Sequence, residues 1–310
     1  GERGSVFRVH AGLPCRALPE EAEVTEEEPD WQTVKSELLE GALKRGAMVA
    51  RVGDPDLLAD VAPGQRPSDL LPQVKSMIVL GGSAPRVGEW NSPRAEVLET
   101  VGTSDRMAAI GSALARQIEE RLGYYAMNVP TSTDQDDKPF LDFTAAAVAA
   151  GAGSPSLAGP VLHPEHGFVY LTVILTSLPL PFDGPIEQPA CPAPSCVEMY
   201  DQRGVTPCTD VCNIDDGGCL GGQIQDGLVI GRRYDANRCR DRVYHYWVPG
   251  YQAVLEKVLS EPDAERRKMM LYGSYFTRTM WSITYSNVSQ GQCFECMRVC
   301  PVGAENRMLK

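Results

Sequence analysis

The sequence predicts an α/β (α+β) fold in two parts, a mixed domain over residues 1–180 and a cysteine-rich module over residues 181–310. Three observations carry this expectation. Helix-period and strand-period segments alternate along the first part. Beyond Pro181 the texture changes to Cys, Gly, Pro and Asp, and every cysteine except Cys15 lies there. At 310 residues the chain is also long enough to bury a substantial core and carry an appended module.

In the first part, a helix is expected from about Trp31 to Arg45, followed by a short strand, Ala47-Met-Val-Ala-Arg-Val. A Pro-containing linker from Pro63 to Pro72 leads to a buried strand, Ser76-Met-Ile-Val-Leu-Gly. Thr103 or Ser104 is placed to cap a helix whose Met107, Ile110, Leu114, Ile118 and Leu122 recur at spacings of three and four, with Gly123 as its stop. Tyr124 to Val129 reads as the next strand, with both tyrosines in its core. Phe140 to Ala150 reads as an Ala-rich, closely packed helix, and Pro160 to His163 and Phe168 to Thr176 as two further strands. In the second part, helical sequence from Pro249 to Leu259 and from Asp263 to Trp281 stands between Cys239 and Cys293.

The spacing of the cysteines carries the chemistry. Cys293-Phe-Glu-Cys296-Met-Arg-Val-Cys300-Pro301 is the C-x2-C-x3-C-P run of a ferredoxin half-site. Cys191, Cys196, Cys208, Cys212 and Cys239 supply the other half. In two-cluster ferredoxins the fourth Cys of each run ligates the other run's cluster. That interleaving assigns Cys191, Cys196, Cys208 and Cys300 to one [4Fe-4S] cluster and Cys239, Cys293, Cys296 and Cys212 to the other. Cys15 and Cys219 are left over, and Cys219 stands close enough to Cys212 to replace it. Structural zinc is the competing reading of paired thiolates, although only one C-x2-C is present. A disulfide framework suits much smaller secreted chains.

A net charge of −12, with no Lys/Arg-rich run, leads to the expectation that nucleic acid is not a partner. No apolar run reaches the roughly 18 residues of a membrane span. No secretory signal pattern opens the chain, so the expected location is cytoplasmic. No phosphate loop or dinucleotide fingerprint is present either, so electrons are expected from an external ferredoxin or flavodoxin. His163 and His166, three apart around Pro164, have a spacing that a metal could use but read more simply as a turn.

Taken in order, several segments resemble the reductive dehalogenase and epoxyqueuosine reductase superfamily. They are Leu114-Ala-Arg-Gln-Ile-Glu-Glu-Arg-Leu-Gly-Tyr124, Ala149-Ala-Gly-Ala-Gly153, Pro164-Glu-His-Gly167, Leu175 to Asp183, Tyr234-Asp-Ala-Asn-Arg-Cys239 and the final Cys-Pro run. The resemblance implies a nitroreductase-like α/β domain that holds a corrinoid (cobalamin), followed by a ferredoxin-like module with two [4Fe-4S] clusters. It places cofactor contacts at Gly151 and Gly153. There the sequence runs Ala150-Gly-Ala-Gly-Ser-Pro, without the basic residue that usually follows. The resemblance also makes Asp136, in Asp136-Asp-Lys-Pro139, the proton donor. Read as residues alone, Asp134, Asp136 and Asp137 sit in a polar loop before a helix, where acids favour the positive end of the dipole.

The expected function is therefore that of a reductase, in which two clusters pass electrons to a corrinoid that reduces a small organic substrate. A corrinoid-free electron-transfer protein is the alternative, and a tRNA-modifying reductase is the third reading.

Overall fold

The computed structural model describes residues 29–82, 93–129, 139–212, 218–235, 238–239, 247–273, 276 and 295–307. Its centre is a four-stranded antiparallel sheet of β1 (Val49–Gly53), β2 (Ser76–Gly82), β3 (Ala126–Val129) and β7 (Tyr170–Thr176), ordered β1-β2-β7-β3. In β2 and β7, Ser76 faces Thr176 and Gly82 faces Tyr170, so the two central strands pair along their whole length. All seven residues of β2 are buried. Successive strand side chains point to opposite faces. Ile78 and Leu80 accordingly enter one apolar cluster while Met77 and Val79 enter another. A sheet covered on both sides explains why β2 reads as a continuous apolar run rather than an alternating one.

Two helices cover the first face. α1 (Trp31–Lys44) contributes Leu38 and Ala42, and Trp31 meets Tyr124 edge to face at 5.8 Å. α3 (Pro93–Gln117) contributes Met107, Ile110 and Leu114, and its continuation contributes Ile118, at the spacing the sequence shows. That helix begins ten residues earlier than Thr103, which is fully buried within it rather than capping it. Pro93 is its first residue, where a missing N–H costs nothing. The last turn widens into a π turn over Ile118–Leu122 and stops at Gly123, which is left-handed at φ 73°. Tyr125 is 64% exposed and lies outside the core, so only Tyr124 packs as expected.

On the other face, α4 (Phe143–Ala149) lays Ala146, Ala147 and Ala149 against Met77, Val79, Val173 and Leu175. Small side chains let the helix lie close to the sheet. Asp142 caps it by accepting from Ala145 N at 2.9 Å. The expected strand from Phe168 to Thr176 divides at Val169 into β6 (Gly167–Phe168) and β7. β6 belongs to a separate small sheet with β4 (Ser154–Pro155) and β5 (Val161–His163).

The segment after β7 is pinned back onto the domain. Lys35 donates to Asp183 Oδ1 at 2.6 Å, and Val52 N donates to Asp183 Oδ2 at 2.7 Å. With Lys35 only 6% exposed, this pair fixes where the chain departs for the cysteine-rich part. There α5 (Pro194–Arg203), α6 (Pro207–Cys212), a β8 (Leu220–Gln225) and β9 (Leu228–Tyr234) hairpin, and the short helix Glu295–Arg298 enclose a third cluster. Its members are Leu157, Ala158, Leu162 and Phe168 from the small-sheet region and Cys212, Cys219, Leu220, Cys239 and Met297 from beyond it. Asp226, at φ 51°, and Gly227, at φ 74°, turn the hairpin. Asp-Gly suits such a two-residue turn because both positions need positive φ. The helix expected from Asp263 is seen over Ala264–Tyr272, and much of its remainder lies outside the described residues.

Candidate metal centre

Two thiol-lined cavities occur where these elements meet. The first has an empty volume of about 330 Å³ and is bounded by Cys191, Cys196, Cys208, Cys296 and Cys300, with an apolar wall that includes Leu157, Leu162 and Phe168. Local structure explains how the thiols converge. Cys196 lies in the first turn of α5, entered through Pro194, and its N–H bonds Ala193 O. Cys208 starts α6 beside Thr206, a buried residue whose hydroxyl lies 3.2 Å from the Cys208 sulfur. Cys191 Sγ accepts from Leu157 N at 3.4 Å, which ties the cysteine module to the small-sheet turn.

The second cavity, with an empty volume of about 640 Å³ that includes open solvent, is bounded by Cys219, Cys239, Cys296, Tyr234 and Met297, with Ala158, Gly159 and Pro160 on one side. Asp235 N donates to Cys219 O at 2.8 Å and Cys239 N to Asp235 O at 3.1 Å, so the end of β9 gathers both cysteines. Cys212 and Cys219 are both buried, with sulfurs 3.0 Å apart, and Cys219 N donates to Cys212 Sγ at 3.2 Å. Of the two, Cys219 lines this cavity and Cys212 stands behind it. Cys293 and Cys15 lie outside the described residues.

Burial pushes the Cys191 and Cys196 thiols up, and pushes Cys208 up to about 11, with the Cys191 and Cys196 charges adding to the effect. Burial, reinforced by Cys212 and Cys239, raises Cys219 as well. Thiolates crowded together in a dry space disfavour one another. A cation-rich group placed among them removes that penalty. The donor set is therefore suited to iron–sulfur clusters, which take Cys thiolates. Among the described residues no three His, Cys, Asp or Glu side chains close on a point that would hold a single metal ion. The thiols surround volumes instead.

The residues expected to serve a corrinoid are placed differently. Asp136 lies outside the described residues. Gly151 is left-handed at φ 68°, and a Cβ there would meet Gly184 O at 2.2 Å. A Cβ at Gly153 would stand 2.5 Å from Val161 and 2.7 Å from Leu162 O. Both glycines are thus required by the chain's close approach to itself. His163 and His166 stack at 4.7 Å, and His163 Nδ1 accepts from the Glu165 and His166 N–H groups, which makes them a turn.

Tyr234 opens the Tyr234–Cys239 segment in the sequence, and its place in the cavity wall is seen only in the structure. The Asp226-Gly227 pair flanked by Gln223-Ile-Gln and Leu-Val-Ile was the signal for the hairpin that delivers it.

No protein-family model matches the chain, and no curated protein matches it. Solved structures do. An epoxyqueuosine reductase with a tRNA-Tyr epoxyqueuosine-modified stem loop is 18% identical, with 90% of this chain and 67% of that one covered, at a TM-score of 0.49. The epoxyqueuosine reductase of Streptococcus thermophilus is 18% identical over 88% and 67%, at 0.46. A reductive dehalogenase described as carrying out B12-dependent dehalogenation is 22% identical over 54% and 23%, at 0.37. The expectation that nucleic acid is no partner is corrected by the first of these, which holds a tRNA stem loop. A net charge sums over the whole surface and does not describe any one face of it. Among the described residues no helix is long and apolar enough to cross a membrane. The matched structures come from both branches of the superfamily that the sequence resembles, and all three are of reductases.

Proposed function

We propose that this protein is an iron–sulfur oxidoreductase in which two [4Fe-4S] clusters relay electrons singly from an external donor, a ferredoxin or flavodoxin, to a reductive site on the α/β domain. The observation that carries the reading is the first cavity. Cys191, Cys196, Cys208 and Cys300 line one volume, with Cys296 also in its wall. The second cavity brings Cys239 and Cys296 together in the same way. Clusters bound there would supply one-electron carriers. The protein's own part is to exclude water with Leu157, Leu162 and Phe168, and to donate N–H groups to sulfur, as Leu157 does to Cys191.

In this reading residues 1–180 form the nitroreductase-like part and residues 181–310 the ferredoxin-like module. Cobalamin enters only through the resemblance, since Gly151 and Gly153 are accounted for by packing. The acceptor is either a small organic molecule or a modified base in tRNA.

Iron and acid-labile sulfide measured on anaerobically purified protein test the reading. About eight of each per chain are expected from two cubanes. Stoichiometric zinc without iron would overturn it. Incubating the reduced protein with added cobalamin and either a haloaromatic acid or an epoxyqueuosine-modified tRNA stem loop then separates the acceptors.

A further inference from the structure

The second cavity meets solvent through the β8–β9 hairpin. Tyr234, the last residue of β9, stands in the cavity wall with Cys219, Cys239 and Cys296, yet 42% of it remains exposed. Leu228 and Ile230, on the same strand, also reach solvent, opposite Gln225 and Gln223, which are exposed as well. Between Ile230 and Tyr234 come Arg232 and Arg233, both exposed, and neither forms a salt bridge with a described residue. Arg233 lies across Gly221, its partner on β8, where a Cβ would be 3.1 Å from its Nε. Exposed aromatic and aliphatic side chains bordered by Arg have the composition of a docking face. The chain carries a net charge of −12, so these arginines reverse the prevailing sign beside the cavity. An acidic partner meets repulsion over most of the molecule and attraction here, which orients it before contact. The groove that backs onto the first cavity through Ala193, Pro301 and Val302 is of the opposite kind, bounded by Glu165 and Glu305 with no basic residue among its described lining.

We propose that the face formed by Leu228, Ile230, Arg232, Arg233 and Tyr234 is where the external electron donor docks, and that the donor is a carrier protein whose cofactor edge is ringed by carboxylates. The inference rests on the iron–sulfur reading of the second cavity and adds to it the partner's surface and the point of entry. Each encounter passes one electron out of the reduced carrier, which is thereby oxidised, into the oxidised cluster behind Tyr234, with no bond made or broken. Arginines also suit RNA phosphates. A nucleic-acid substrate, however, has to reach the reductive site on the α/β domain, whereas a donor has to reach a cluster, and Tyr234 belongs to a cluster cavity. Leu228 and Ile230 would add nothing to a phosphate contact.

The test follows reduction of anaerobic holoprotein by the hydroquinone of a flavodoxin with an acidic rim, in stopped flow, with binding of the same flavodoxin read by surface plasmon resonance. For the parent protein both the second-order rate and the affinity should fall as salt is raised, because salt screens the attraction at the arginines. If net charge governed instead, two acidic proteins would repel and salt would speed the reaction, which would overturn the inference. Arg232→Glu with Arg233→Glu should slow reduction by about tenfold or more at low salt and flatten its salt dependence, with iron content and final reducibility by dithionite unchanged. Lys44→Glu with Arg116→Glu makes the same change of charge at exposed positions of α1 and α3, and should leave the rate near the parent's. A parent-like rate for the hairpin pair, or equal slowing by both pairs, would overturn the inference while leaving the cluster reading intact. If the hairpin glutamates cost iron, Arg232→Gln with Arg233→Gln takes their place, and a parent-like rate there overturns the inference. Binding of a tRNA stem loop that the hairpin variant loses, with flavodoxin reduction unaltered, would assign the face to nucleic acid instead. Wild-type protein without iron would be a failure of the cluster reading itself, and the docking inference would fall with it.

Discussion

The sheet and the thiol module are held together by different physics. In the sheet, Ile78, Leu80, Val173, Ile174 and Leu175 are each 0% exposed, and helices cover both faces. Burying side chains of that size contributes roughly 1.5–3 kcal/mol each. The module's central cluster instead includes Cys212, Cys219 and Cys239 among its nine buried members, and its hairpin leaves Leu228 54% and Ile230 39% exposed. One region folds on its apolar area. The other places thiols where a larger core would otherwise be, so its stability depends on what those thiols bind.

Iron removal gives the largest expected effect. Anaerobic chelation should abolish hydrogen-exchange protection across Leu220–Tyr234 and Pro194–Cys212, while the amides of Ser76–Gly82 and Tyr170–Thr176 stay protected. Uniform loss of protection in both regions would mean that the sheet also depends on metal, and the contrast between the two would fail.

A narrower effect separates two cysteines. If the ferredoxin spacing rules, Cys212→Ser should reduce iron from about eight to about four per chain while Cys219→Ser keeps it, because the fourth thiol of a run serves the other cluster. The cavity wall contains Cys219 and omits Cys212, which favours the reverse outcome. Iron analysis on the two variants decides between them. Cys15→Ser should leave iron unchanged.

Ile174→Ala attacks the sheet instead. A cavity at this fully buried strand position should cost about 2–5 kcal/mol in denaturant unfolding, with cluster absorbance per folded molecule unaltered. Loss of iron at full folding would show that the two regions are more tightly coupled than their contacts imply.

How much of this was legible in the sequence follows the same division. Met107, Ile110, Leu114 and Ile118 announced the face of α3 because helix periodicity survives burial on one side. Its start was hidden, since Thr103 resembles a cap and only the fold reveals a buried hydroxyl mid-helix. The grouping of Cys191, Cys196, Cys208 and Cys300 could be proposed because motif spacing encodes cluster geometry. The closeness of Cys219 to Cys212 was legible as well, and the structure brings their sulfurs to 3.0 Å, whereas the place of Tyr234 in the wall of the second cavity could not be read that way. Tyr234 is delivered by a hairpin whose register depends on a bulge between Gly221 and Gln223, and a bulge leaves no spacing rule behind. The packing role of Gly151 and Gly153 was hidden for a related reason, because a glycine that admits backbone looks in sequence like one that admits a cofactor.

The smallest expected effect is a pH dependence at the junction between the regions. His163 ends β5 and is half-buried. Burial lowers its pKa below the ordinary histidine value, the charges of His166 and Arg51 lower it further, and Glu165 opposes them. With the folded pKa depressed, the unfolded chain takes up the proton first as pH falls. The unfolded state therefore binds more protons between the depressed value and about 6.5, and stability rises with pH across that window. The contribution is complete above the unfolded value and lost on acidification. Chemical denaturation at pH 7.5 and pH 5.5 should show a modest stability loss for the parent and a smaller one for His163→Gln, in which no proton can be taken up at this position. Because the His166 charge is among the causes that lower His163, the difference should shrink in a His166→Gln background. An identical pH slope for parent and His163→Gln would show that the stacked pair is solvated well enough to titrate like free histidine.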